Sequence, residues 1–202
     1  MWDERYSDNE YVFGTTPNAF LASMVERILC NNNHGHRGKV LSLAEGEGRN
    51  AVFLAEQGYD VVAVDSSTVG LEKARKLALE RGVSIQTMVC DLAHFDIEAK
   101  SWDGVVSIFA HVPPAVRKEL HKKIVDGLRP GGVLILEAYR PDQLKYKTGG
   151  PPTAEFMMTL KGLEEELTGL NFDYGVELDR DIVEGKFHTG KGAVVQIIGV
   201  KP

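Results

Sequence analysis

Residues 39–65 read KVLSLAEGEGRNAVFLAEQGYDVVAVD, and the order of residue types along this stretch decides the fold. Val40, Leu41, Leu43 and Ala44 form a short apolar run. Gly46 and Gly48 then open a helix on which Ala51, Val52, Leu54 and Ala55 recur at helical spacing. Gly58 stops that helix, and a second apolar run, Tyr59 to Val64, closes on Asp65. Strand, glycine-rich turn, helix, strand, acid is half of a doubly wound α/β unit. In such sheets ligands sit at the carboxyl ends of the strands, and an acid at the tip of the second strand holds ribose hydroxyls. The stretch therefore predicts an adenosine-type cofactor.

Outward from it the same alternation continues. Asn9 to Thr16 reads as a loop. Pro17 starts a helix whose face carries Phe20, Leu21, Met24, Val25, Ile28 and Leu29, and which ends near Asn31. The CNNNHGHRG run that follows reads as a loop, its two histidines as ordinary punctuation. Beyond Asp65, Ser66 and Ser67 offer caps for a helix through Leu71, Ala74, Leu77 and Ala78 to Gly82. Val83 to Cys90 is a third strand and Gly104 to Ile108 a fourth. A helix runs from Pro113-Pro114 to Leu128, and the RPGG turn leads into a fifth strand, Val133 to Tyr139. Residues 140–152 read as a loop and Thr153 to Leu167 as a helix. Phe172 to Val183 and Ala193 to Val200 read as an antiparallel hairpin. This order predicts an α/β fold: a Rossmann-like, doubly wound, seven-stranded sheet, mostly parallel, with an antiparallel terminal hairpin strand and helices on both faces. One domain, 1–202, is expected, with a covering segment and helix (1–35), a cofactor-binding core (39–139) and a substrate side (140–202).

The 202 residues are 43% hydrophobic and 26% charged, with a formal net charge of −6. An acidic balance without a basic stripe argues against nucleic acid or a membrane surface as partner. Cys30 and Cys90 form no Cys-x-x-Cys pair and no metal pattern. A reducing, cytoplasmic setting is expected. The opening residues MWDERYSDNEY are unlike a signal peptide, and no apolar run is long enough for a bilayer. A small-molecule partner is expected, with no nucleic acid, membrane or metal. Oligomeric state is not legible.

Over nearly its whole length the chain resembles the class I S-adenosylmethionine-dependent methyltransferases, and within them the small tellurite-resistance and thiopurine-methyltransferase-like enzymes. The residues that carry the likeness are WDERY near the start, YVFGTTPNAFL, LAEGEGRNAVFLAEQGYDVVAVD, the CDL at 90–92, GLRPGGVLILE at 127–137, and the terminal hairpin. The family's first strand has an Asp two residues before a Gly-x-Gly-x-Gly turn. Here those positions are Ser42, Ala44, Gly46 and Gly48. The resemblance implies S-adenosylmethionine as methyl donor, S-adenosylhomocysteine as product, and a small-molecule acceptor, with a thiol or a metalloid as candidates. The absence of an Asn-Pro-Pro-Tyr-type motif argues against amide or nucleobase N-methylation.

Two alternatives stand beside this reading. Residues 46–51 also fit the G-x-G-x-x-A pattern of a nicotinamide dinucleotide site, but Glu45 and Glu47 would repel a pyrophosphate there. The chain could also be a cofactor-binding module without turnover. For the cofactor itself, Gly46 and Gly48 would admit the backbone, with Glu45 and Asn50 in the same turn. Asp65 would accept from the ribose hydroxyls, with Ser66 beside it. Helix-start N–H groups, or Arg5 or Arg49, would meet the methionine carboxylate. The resemblance adds Asp91 and Leu92 at the adenine, Phe109 and Ala110 at the methionine end, and Trp2, Tyr6, Tyr11 and Phe13 as a cover that excludes water. His111 is the candidate base. Tyr139, Arg140, Tyr146 and His188 are the candidate substrate contacts.

Overall fold

A computed structural model describes residues 2–28, 37–185 and 188–202. Its strands are β1 (Lys39–Leu43), β2 (Asp60–Asp65), β3 (Gln86–Val89), β4 (Trp102–Ile108), β5 (Leu128–Tyr139), β6 (Asn171–Val183) and β7 (Thr189–Val200). They form one seven-stranded sheet in the order β3-β2-β1-β4-β5-β7-β6. The first five are parallel, and β7 enters antiparallel between β5 and β6. The helices are α1 (Trp2–Tyr6), α2 (Ala19–Met24), α3 (Arg49–Glu56), α4 (Thr68–Glu80), α5 (Pro114–Gly127) and α6 (Leu160–Glu166).

The apolar runs of the central strands point alternately to two faces, as the period of two requires. Leu41, Leu43, Val62, Val64, Leu134 and Leu136 pack with Leu120 and Ile124 of α5 and Leu163 of α6. Val40, Val61, Ala63, Val106 and Ile135 pack with Phe20 and Leu21 of α2, Leu54 of α3 and Leu71 of α4. Strand order reverses between β1 and β4, and there the carboxyl ends leave a crevice.

Several elements differ from their sequence-based bounds. The first helix starts at Ala19, because the side chain of Asn18 accepts from Leu21 N; a turn of 3-10 helix, Val25–Arg27, then follows, and Ile28 is extended. Leu29 to Asn31, Cys30, and the two loop histidines lie outside the described residues. WDERY is helical. The RPGG segment belongs to β5, whose register slips between Trp102 and Gly104 of β4. The helix expected over 153–167 divides into a 3-10 turn, Ala154–Phe156, and α6, because Thr159 restarts it as a cap accepting from Gly162 N. Within the expected loop, Pro141–Lys145 forms another 3-10 turn.

Candidate active site at the switch point

The chain leaves β1 through Ala44, at a left-handed φ of 50°, and turns through Gly46 (φ 62°) and Gly48 (φ 95°). A Cβ on Gly48 would stand 2.6 Å from Ala74 Cα on α4, and one on Gly46 would stand 2.6 Å from Tyr6 Oη. Packing inside the protein thus requires both glycines, one for α4 and one for the N-terminal segment. Glu45 folds back beneath the turn. Its Oε1 accepts from Asn50 N (3.0 Å) and Ala51 N (2.9 Å), and its Oε2 from Ser42 Oγ. Burial raises its pKa, against the pull of these donors. This carboxylate caps α3 and takes two of the helix-start N–H groups, those of Asn50 and Ala51, that the sequence reading gives to the methionine carboxylate.

Asp65 sits at the tip of β2. Its Oδ2 accepts from Gly46 N (2.9 Å) and its Oδ1 from Ser67 N (2.8 Å). Each oxygen keeps acceptor capacity for a hydroxyl. Burial raises its pKa, which the two backbone donors oppose. Ser67 caps α4 through Gly70 N, whereas Ser66 is exposed beside Asp65.

The N-terminal segment is strapped over this turn. Glu47 Oε2 accepts from Val12 N (2.8 Å) and Phe13 N (3.3 Å), and its other oxygen pairs with Lys73. Lys73 Nζ also donates to the carbonyls of Asp8 (2.8 Å) and Glu10 (2.7 Å). Asp3 accepts from Ser67 Oγ and Val69 N. Tyr6 is buried, Trp2 stacks on it at 5.6 Å, and Arg5 lies 4.9 Å over the Trp2 ring. Tyr11 donates to Lys73 O and packs with Val52, Leu77 and Ala78. In the structure it anchors the strap on α3 and α4.

Behind the turn lies a buried ion network that no local pattern announces. Arg49 Nη2 donates to Glu184 (2.6 Å). Arg180 donates to Glu137 (2.6 and 3.0 Å) and to Glu184 (2.9 Å). Asn18 Nδ2 bridges Glu137 and Glu184, and its backbone N–H donates to Asn50 Oδ1. The signal was faint: Glu137 is the one acid in the apolar run VLILEAY. Two arginines balance two glutamates, as burial demands. One polar atom is left over, because Arg49 Nη1 is buried without a hydrogen-bond partner among the described residues.

Beside the network runs a row of rings. Phe109, at φ 54°, donates its N–H to Glu137 O and stacks on Tyr139 at 4.6 Å. His188 contacts Phe13 (4.6 Å), Phe109 (4.8 Å) and Tyr139 (5.5 Å). His111 Nε2 accepts from Tyr139 N (3.0 Å), and its ring stacks on Tyr139. Burial, with His188 nearby, pushes the His111 pKa down to about 3. A neutral ring with one nitrogen committed to the backbone is a poor base, so the geometry makes His111 a brace between β4 and β5.

The remaining candidates spread out. Ala110 is buried after β4. Asp91 is exposed and accepts from Ala93 N, while Leu92 joins the core beside Phe95. Arg140 pairs with Asp142 and Asp179, and Tyr146 Oη donates to Asp179 (2.6 Å). These two residues tie the 141–148 segment to β6. Among the described residues, no group of three His, Cys, Asp or Glu could hold a metal, and no helix is long and apolar enough to cross a membrane.

A family model described as a methyltransferase domain matches residues 40–132. The chain is 31% identical over 167 residues to the uncharacterized methyltransferase sll0829 of Synechocystis, covering 79% of this chain and 74% of that one. It is 29% identical over 143 residues to the tRNA 5-carboxymethoxyuridine methyltransferase of Escherichia coli K12, covering 67% of this chain and 54% of that one. The chain thus spans about half the length of that enzyme. Among solved structures, the N-methyltransferase NodS of Bradyrhizobium japonicum with S-adenosylhomocysteine superposes at TM-score 0.69 (15% identity, 98% and 96% coverage). TehB of Haemophilus influenzae does so at 0.68 (20% identity, 82% and 58% coverage). At these identities the structures speak for the fold. With β1, the glycine turn, α3 and β2 inside the matched segment, the chain belongs to the S-adenosylmethionine-dependent methyltransferase family, and S-adenosylmethionine is its cofactor.

Proposed function

We propose that this crevice methylates a small-molecule acceptor and that Asp65 and Arg49 grip the two ends of the cofactor. The observation that carries the reading is the buried Arg49 Nη1 at the start of α3, which has no hydrogen-bond partner among the described residues, with Asp65 across the same turn. Glu45 takes the N–H groups of Asn50 and Ala51, and the Arg49 guanidinium beside them is the fitting partner for the methionine carboxylate. The same closure leaves a dinucleotide pyrophosphate without its usual helix N-terminus. When bound, S-adenosylmethionine supplies an electrophilic methyl group on a sulfonium. The chain's own work is to orient and to exclude water. Asp65 accepts the ribose hydroxyls, Tyr6 and Phe13 cover the mouth, and Phe109, Ala110 and Leu92 line its apolar sides. Exposed Asp173, Glu177, Asp179 and Asp181 along β6 favour a small acceptor over a nucleic acid such as the E. coli relative's tRNA. The tellurite-resistance affinity rests on shared fold and on the quoted motifs.

Calorimetry tests the reading. S-adenosylhomocysteine binds and NADH does not. Asp65→Ala weakens binding about 100-fold, the size expected for two hydrogen bonds to a charged group. Arg49→Gln weakens S-adenosylhomocysteine about tenfold or more but leaves 5′-methylthioadenosine, which lacks the amino-acid end, unchanged. Equal loss for both ligands would remove Arg49 from this role. Cofactor binding without turnover of any acceptor would favour the binding-module alternative.

A further inference from the structure

Behind the glycine turn, the side chains of Asn18, Arg49, Glu137, Arg180 and Glu184 commit nearly all of their hydrogen-bonding capacity to one another. Glu184 Oε2 accepts from Arg49 Nη2 (2.6 Å), and its Oε1 accepts from Arg180 Nη2 (2.9 Å) and Asn18 Nδ2 (3.0 Å). Arg180 Nε and Nη2, with Asn18 Nδ2, also hold the fully buried Glu137. Of the buried side-chain nitrogens and oxygens in this group, Arg49 Nη1 is the one left without a partner among the described residues. Resting on the cofactor reading above, we infer that Glu184 is a positioning residue. By holding Nη2 it aims Nη1 of Arg49 at the carboxylate of the cofactor's methionine end, and it does not touch the cofactor itself.

The guanidinium is a planar fork, so fixing one arm fixes the direction of the other. Glu184 is not free to turn to a ligand, because both of its oxygens are engaged inside the protein. Its charge is kept as well. Burial opposes that charge, but Arg49 and Arg180 prevail and hold the carboxyl below the usual range. The backbone that carries Glu184 is held from two sides. Glu184 follows β6 directly, and its N–H donates to His188 O (2.7 Å) across the hairpin. Gly185, at φ 75°, lies so close to the strap that a Cβ there would stand 2.3 Å from Val12 O. An Arg49 without this support would sample several rotamers, and binding would have to stop that motion. The charge of Glu184 acts the other way: it neutralises Arg49 and so weakens the pull on a ligand carboxylate. A change that removes charge and position together would mix the two effects. The telling change keeps the charge and moves it, and Glu184→Asp does this by withdrawing the carboxylate by one methylene.

The test is calorimetric and needs no turnover. S-adenosylhomocysteine carries the whole amino-acid end, S-adenosyl-3-thiopropylamine lacks only the carboxylate, and 5′-methylthioadenosine lacks the amino-acid end altogether. Glu184→Asp is expected to weaken S-adenosylhomocysteine about tenfold, within the range for coupled neighbours, and to leave the other two ligands unchanged. In the Arg49→Gln background the same substitution is expected to add no further loss, because Glu184 acts through Arg49. A role in stability alone would weaken all the ligands alike. That outcome, a full additional loss in the double variant, or no change for any ligand overturns the inference with the role of Arg49 intact. A loss shared by S-adenosylhomocysteine and the thiopropylamine, with 5′-methylthioadenosine unchanged, would put Glu184 at the ammonium group and overturns it too. Arg49→Gln alone is measured first. If it fails to separate S-adenosylhomocysteine from 5′-methylthioadenosine, the Arg49 reading falls and this inference with it.

Discussion

Two neighbouring residues in the glycine turn act on stability in opposite directions. Ala44 holds a left-handed backbone, φ 50°, that favours glycine by about 1 kcal/mol. Glycine also loses more freedom on folding, by about 0.5–1 kcal/mol. Ala44→Gly is therefore expected to shift the melting temperature by less than about 3 °C in either direction, read by calorimetric scanning. Glu45 is different. Its carboxylate satisfies Ser42 Oγ and two N–H groups of α3 inside the protein. Glu45→Ala orphans all three and is expected to cost about 2–3 kcal/mol, a fall of about 5–10 °C. A drop of under one degree would show that water replaces the cap.

Among the elements, the N-terminal strap depends on two side chains. Glu47 holds the N–H groups of Val12 and Phe13, and Lys73 gathers Glu47 and the carbonyls of Tyr6, Asp8 and Glu10. α1 is only five residues long, too short to persist alone. Its docking therefore depends on these contacts and on Tyr6 against Gly46. Lys73→Met is expected to leave the sheet intact, to speed proteolytic nicking within residues 6–13, and to weaken S-adenosylhomocysteine binding about tenfold, as loss of one charge-assisted anchor implies. Unchanged nicking and affinity would mean that ring packing alone seats the strap.

For the whole molecule, buried titratable groups set the response to acid. His111 and His188 have an ordinary pKa of 6.5 and folded values of about 3 and about 4. Below pH 6.5 the unfolded chain binds protons that the native state refuses. Their contribution is complete above 6.5 and is lost as pH falls toward 4 for His188 and toward 3 for His111. Glu166 follows at lower pH. Burial raises it, but the hydrogen bonds from His121 and Arg117, which join α5 to α6, prevail and hold it at about 2 against an ordinary 4.5. Its stabilisation is present above 4.5 and is lost as pH falls toward 2. Stability is thus expected to be flat above about pH 7 and to fall by about 5 kcal/mol between 6.5 and 4. The loss continues at a similar slope below 4.5, where Glu166 takes over from His188. His188→Phe should flatten the first limb and Glu166→Gln the second, as read from urea midpoints across pH. A profile unchanged by either substitution would remove these groups as its cause.

The sequence by itself determined the sheet, its parallel core and the inserted antiparallel strand. Periodicity and turn residues are local signals, and LAEGEGRN between two apolar runs admits few other folds. It also pointed to Asp65 and to the aromatic opening segment, because strand tips and exposed aromatics are visible as positions. Tertiary structure alone decided which donors remain for a ligand. That Glu45 takes two N–H groups at the start of α3, that Tyr11 packs on α4, that Tyr139 N–H holds His111, and that Arg49 Nη1 has no hydrogen-bond partner among the described residues are facts about partners. Those partners come from elements as far apart as Asn18, Glu137 and Glu184, which no spacing rule connects. Hydrogen-bond capacity is finite, so the chemistry of a buried group depends on what its neighbours have already taken, and neighbours exist only in the folded chain.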